Sequence, residues 1–149
     1  MDETPFVKFN SPKEHYTADA CVVWCFDDRF YKLLKAFGKQ EGFGHIDLVK
    51  VAGGAKALAG DASPERDFLL GQIATSGRLH GTKRAILMLH RDCGAYGGSK
   101  SFADADTEKT ELIKQLHQAR DLVKKELSDV DGLVVDVYFA DFDGLYKIE

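Results

Sequence analysis

Ala20-Cys21-Val22-Val23-Trp24-Cys25-Phe26 is an unbroken apolar run, rich in β-branched residues, that stops at Asp27-Asp28-Arg29. A strand with one face in water would interleave polar residues. A strand without them is covered on both faces, as in a parallel sheet with helices on either side. The pattern returns at residues 85–89 (AILML), which lead into His90-Arg91-Asp92-Cys93-Gly94. Both runs therefore end in residues able to do chemistry.

Working outward, residues 46–52 (IDLVKVA) read as a second short strand running into Gly53-Gly54. Residues 133–140 read as a fourth, and Asp143-Gly144 as a turn into a last short strand over 145–148. Three helices fall between them. The first spans about 29–37, with Leu33, Leu34 and Phe37 inward and Gly38 as its stop. The second starts at Ser63-Pro64-Glu65, with a serine cap, proline in the first turn and an acid behind it. It carries Phe68, Leu69 and Ile73 inward and stops near Gly81. The third opens at Asp106 or Thr107, and on it Leu112, Leu116, Ala119, Val123 and Leu127 recur at three- and four-residue spacing. This alternation predicts an α/β fold: an open, mostly parallel sheet of about four strands plus a short C-terminal edge strand, with helices on both faces. Residues 1–17 are polar and irregular and read as an N-terminal arm; 18–149 read as one domain.

The chain has 149 residues, 44% hydrophobic and 30% charged, with a formal net charge of -4. That balance suits a soluble domain with a single core and offers no duplex-binding surface, so no nucleic-acid partner is expected. The lysines between 109 and 125 are interleaved with acids and read as a solvated helix face. No stretch approaches the ~20 apolar residues that span a bilayer, so no membrane association is expected. The first 13 residues have no apolar core of a signal peptide. These features point to a cytoplasmic location, where thiols stay reduced and three cysteines favour metal binding or catalysis over a disulfide.

In open α/β sheets chemistry collects beyond the carboxyl ends of the strands. Cys25 stands there after the first strand, and His90 and Cys93 after the third. Two thiolates and an imidazole suit one zinc ion, and three protein ligands with a fourth position open mark a catalytic site. Other readings stand beside this one. Cys21 reads as an ordinary core thiol. Asp27 and Arg29 could form a surface ion pair worth under ~1 kcal/mol. A redox pair has no C-x-x-C to rest on, and a phosphatase-type cysteine loop meets Tyr31 or Ser99 where it needs arginine.

C-x-D-x-R at Cys25, Asp27 and Arg29, followed a βα unit later by H-x-x-C-G at His90, Cys93 and Gly94, resembles the signature of the β-class carbonic anhydrases. Residues 49–53 (VKVAG) are similar to that family's strand ending in Asn-Ala-Gly, with Val51 in place of the asparagine, and Asp28 stands where the family usually has serine. Residues 136–146 (DVYFADFDGLY) are similar to its last strand–turn–strand. The resemblance implies Cys25, His90 and Cys93 as ligands of one Zn2+ per chain. It implies an Asp27–Arg29 dyad in which Arg29 holds the Asp27 carboxylate against zinc-bound water or hydroxide; in a closed form Asp27 itself ligates the metal. The activity implied is reversible hydration of carbon dioxide to bicarbonate by zinc-bound hydroxide, in a homodimer or higher homo-oligomer. Two alternatives share the scaffold: hydrolysis of carbonyl sulfide or carbon disulfide, and a non-catalytic zinc-stabilised interaction domain. His15, His45 and His80 are candidate proton relays.

Overall fold

Each apolar run becomes a strand in the computed structural model, which describes residues 3–149. The strands are β1 (Ala20–Cys25), β2 (Ile46–Val51), β3 (Arg84–His90), β4 (Val134–Asp141) and β5 (Gly144–Ile148). They form one sheet in the order β2-β1-β3-β4-β5. The first four are parallel, and β5 returns antiparallel to β4 through a turn at Phe142-Asp143, one residue earlier than the sequence suggests, with Gly144 already paired to Asp141. Every residue of β1 is buried, as its composition requires.

The two faces are covered by different helices. Successive side chains of a strand point to opposite faces. Val22, Trp24, Ile86 and Met88 accordingly meet Leu34 and Phe37 of α1 (Tyr31–Glu41). Cys21, Val23, Leu87 and Leu89 meet the other three helices, α2 (Lys56–Ala59), α3 (Pro64–His80) and α4 (Ala105–Glu126). Their contacts come from Leu58, Leu69, Ile73, Leu112 and Leu116. Each such side chain contributes about 1.5–3 kcal/mol of transfer free energy, so the fold rests on these two layers rather than on staples.

Four further details differ from the sequence reading. Helix α1 passes through Gly38 and ends at Gly42, whose φ of 71° is the left-handed conformation of a helix stop. A Cβ at Gly38 would touch nothing within 4 Å, so that position faces open space and imposes no turn. Phe68 is 54% exposed; the inward row of α3 is Leu69, Ile73 and Ser76. Helix α4 opens earlier, with the Asp104 carboxylate capping Thr107 N–H at 2.7 Å. The single turn α2 has no apolar period long enough to announce it.

The topology places the site. From β1 the chain moves outward to β2, then returns past β1 to lay down β3 on its other side. The connections leaving β1 and β3 thus diverge, and the crevice at such a switch point is where open α/β sheets bind ligands. Gly54 (φ 55°) closes the floor of that crevice. Its N–H bonds Val51 O, and a Cβ there would collide with the Met88 carbonyl of β3.

Candidate metal centre

Cys25 is the last residue of β1, and His90 is the last residue of β3. Cys93 follows three residues later, where the loop tightens into a short turn over Gly94–Tyr96. All three are buried, and their ligand atoms lie within 4.8 Å of one another. The sheet brings these residues together from 65 positions apart in sequence because β1 and β3 are hydrogen-bonded neighbours.

The donor chemistry fits a zinc ion. His90 Nδ1 lies 2.7 Å from the Arg91 carbonyl oxygen, which can only accept. The ring proton is therefore on Nδ1, and Nε2 presents a lone pair. That Nε2 is buried and without a hydrogen-bond partner. A buried polar nitrogen left alone is costly, about 1–3 kcal/mol, and it points at two thiols. A metal ligand whose other nitrogen is fixed by a carbonyl is the usual arrangement of a histidine held ready for a cation. The two thiols lie against each other, and their contact holds Cys25 well below the ordinary thiol range and pushes Cys93 up. Burial works against charge on His90, but the neighbouring Cys25 sulfur, the Arg91 carbonyl and the Asp27 carboxylate outweigh that and raise its pKa.

Asp27 and Arg29 stand at the rim. The Arg29 guanidinium grips Asp27 with Nε 3.0 Å from Oδ1 and Nη2 2.7 Å from Oδ2. The Arg29 backbone N–H adds a third bond to Oδ1 at 3.0 Å. This bidentate pair holds the Asp27 carboxyl below its usual range, while Oδ2 stays 3.9 Å from His90 Nε2. The cavity here is about 430 Å³ and is walled by Phe26, Ala52, Gly53 and Ala95 as well as the two thiols. A larger groove of about 660 Å³, with Phe68 and Leu69 on its wall, lies alongside and shares Ala52 and Ala95. His45 and His80 lie at the opposite end of the sheet, just before β2 and β3, and so stand far from this cavity.

Three neighbours escaped the sequence reading: Arg91, Asp92 and Glu108. Arg29 also donates to Asp92, from Nη1 to Oδ2 at 3.1 Å and from Nη2 to the carbonyl at 3.0 Å. Arg91 forms an ion pair with Asp141 at the end of β4. Glu108, 1% exposed in the first turn of α4, accepts from Arg91 Nη1, Asp92 N–H and Ser99 Oγ. One signal was present in the sequence: Glu108 is four residues before Leu112, an acid on the apolar stripe of α4.

Comparison with known proteins agrees with this geometry. Residues 16–148 match a family model described as putative carbonic anhydrase. The chain belongs to the β-class carbonic anhydrase family. It is 27% identical over 132 residues to the uncharacterized protein RC0076 of Rickettsia conorii, covering 80% of this chain and 69% of that one. Among solved structures, the carbonic anhydrase from Glaciozyma antarctica superposes with a TM-score of 0.62 at 17% identity, covering 90% of this chain and 84% of that one. The enzyme from Streptococcus mutans gives 0.61 at 15% identity, covering 90% and 83%. A carbon disulfide hydrolase shares the fold at 0.50 and 13% identity, covering 89% and 80%. At such identities the superpositions establish the architecture alone.

Proposed function

We propose that this chain is a zinc-dependent carbonic anhydrase that interconverts carbon dioxide and bicarbonate. The observation that carries the reading is the orphaned, buried His90 Nε2, set between two thiols at the switch point with an arginine-held carboxylate at the rim. Cys25, His90 and Cys93 hold the metal, one ion per chain. Bound there, zinc would acidify a water and supply a nucleophile, less strongly than beside three imidazoles because two thiolates cancel its charge.

The remaining roles belong to side chains already in place. Asp27 orients the attacking water by accepting its hydrogen. Arg29 keeps that carboxylate ionised and engages both its oxygens, with Oδ2 3.9 Å from His90 Nε2, which supports an open site over an Asp27-ligated one. Phe26, Ala52 and Ala95 give carbon dioxide an apolar surface and no hydrogen-bond donor to compete for water. The thiols must stay reduced, which a cytoplasmic location provides.

The arm, residues 1–17, and the domain, 18–149, fit a homo-oligomer, because Phe6, Val7 and Phe9 of the arm, Leu48 of edge strand β2 and Phe68 beside the site are all exposed. A second reading, hydrolysis of carbonyl sulfide or carbon disulfide, draws on the same apolar cavity and on the shared fold of a carbon disulfide hydrolase. Stopped-flow hydration of carbon dioxide per mole of bound zinc, at about pH 7 and about pH 8.5, tests the proposal. Turnover above the buffer rate and larger at the higher pH is expected. No turnover on carbon dioxide with one zinc per chain contradicts it, and turnover of the sulfur analogues by that same preparation establishes the second reading.

A further inference from the structure

We propose that Glu108 is a positioning residue for the metal centre, acting through Asp92 and Arg29 to set where the Asp27 carboxylate stands. The inference rests on the functional reading above. It begins with a backbone observation. Among the described residues Asp92 is the one non-glycine with positive φ, at 56°. Such a conformation is costly and persists only where its surroundings impose it. They do so from two sides. Asp92 N–H donates to Glu108 Oε1 at 2.7 Å, and Asp92 Oδ1 accepts from Ser99 N–H at 2.8 Å.

The rest of the Glu108 carboxylate is equally committed. Oε2 accepts from Ser99 Oγ at 2.7 Å and from Arg91 Nη1 at 3.1 Å. One buried carboxylate thus fastens both ends of the loop that carries Cys93, together with the residue after His90. The twist it imposes on Asp92 aims the Asp92 carbonyl and carboxylate at Arg29, which grips Asp27 with its remaining donors. Glu108 touches neither ligand nor cavity. Of its three donors, Asp92 is the one that leads through Arg29 to Asp27, and that is the path proposed to carry its effect.

Glu108→Gln keeps the size of the side chain and replaces one acceptor with a donor, facing Asp92 N–H and Arg91 Nη1, which only donate, and the Ser99 hydroxyl, which can do either. The test compares four cobalt-loaded proteins at one fixed pH: wild type, E108Q, D27N and the double variant. The visible cobalt bands report the geometry around the metal, and carbon dioxide turnover is recorded beside them. E108Q is expected to keep one metal per chain, change the cobalt bands, and lower kcat/KM ~10- to ~100-fold. In the D27N background the same substitution is expected to leave the bands unchanged and turnover within about twofold. Unchanged bands in E108Q, or an equal loss in both backgrounds, overturns the proposal. Absence of turnover in wild type defeats the functional reading instead, and the cobalt bands then still decide the role of Glu108. If E108Q does not fold, Ser99→Ala removes one of the three donors and carries the same comparison: a smaller band shift confined to the Asp27 background supports the role, and an additive one overturns it.

Discussion

Two polar clusters sit at opposite ends of this sheet and draw on the same residue types, yet only one is left chemically unfinished. At the far end, Asp47 of β2 accepts from Tyr16 Oη at 2.8 Å and from Ser76 Oγ and His80 Nδ1, both at 2.7 Å. The Tyr16 ring lies between His45 and His80, with centroids 4.8 and 4.2 Å away. Cys21 is register partner to Asp47 in the β1–β2 pair, and burial pushes its thiol up to about 11. The Asp47 carboxylate, Tyr16 Oη, Ser76 Oγ and His80 Nδ1 are all partnered there. At the near end the histidine is buried with one nitrogen orphaned, and a thiol is drawn well below its ordinary range. Identical side-chain chemistry reads as structure where it is satisfied and as a site where it is not.

Swapping one thiol at each end breaks this comparison most severely. Cys93→Ser is expected to lose zinc and fall to the buffer rate of hydration, whereas Cys21→Ser keeps one zinc per chain; elemental analysis after gel filtration separates the two. Loss of metal in both would erase the distinction. Next in size, Asp27→Asn should retain zinc while turnover drops by up to ~100-fold, since the carboxylate orients water and is no ligand in the open arrangement. An unchanged rate would return Asp27 and Arg29 to the status of a surface pair.

At the far end the expected effects are on stability alone. Asp47→Asn leaves Ser76, His80 and Tyr16 short of an acceptor and should cost ~1–3 kcal/mol in urea unfolding, with turnover per zinc unchanged. The pH dependence has a definite sign. Burial works against charge on Asp47, and its three hydrogen bonds outweigh it, so the folded carboxyl lies below its ordinary value of 3.8. Its contribution is complete above that value and is lost as pH falls through the folded pKa. Asp47→Asn should therefore flatten part of the acid limb below about pH 4. Parallel acid limbs for the two proteins would show that Asp47 contributes nothing by ionising.

The strands and the meeting of Cys25, His90 and Cys93 were legible because their signals are local and redundant. An apolar run long enough to be covered twice fixes β1 and β3, and the parallel order then makes Cys25 and His90 neighbours without further information. Ser63 and Pro64 announce α3 for the same reason, the cap and the fixed φ both lying in the sequence itself. What escaped depends on which way a residue faces. Gly38 reads as a stop but points into open space, Phe68 is apolar but lies beside the buried row of α3, and Asp104 outcompetes two later candidates for the cap. Glu108 was the most consequential omission. Its role exists only once the loop after β3 folds back onto the first turn of α4.

Zinc K-edge X-ray absorption on the protein as purified most directly tests the claim that the near end is an open metal site. The account predicts two sulfur ligands at about 2.3 Å, one imidazole nitrogen at about 2.0–2.1 Å and one exchangeable light ligand, unchanged in Cys21→Ser. Four protein ligands with no exchangeable one, or no zinc at all, would contradict it.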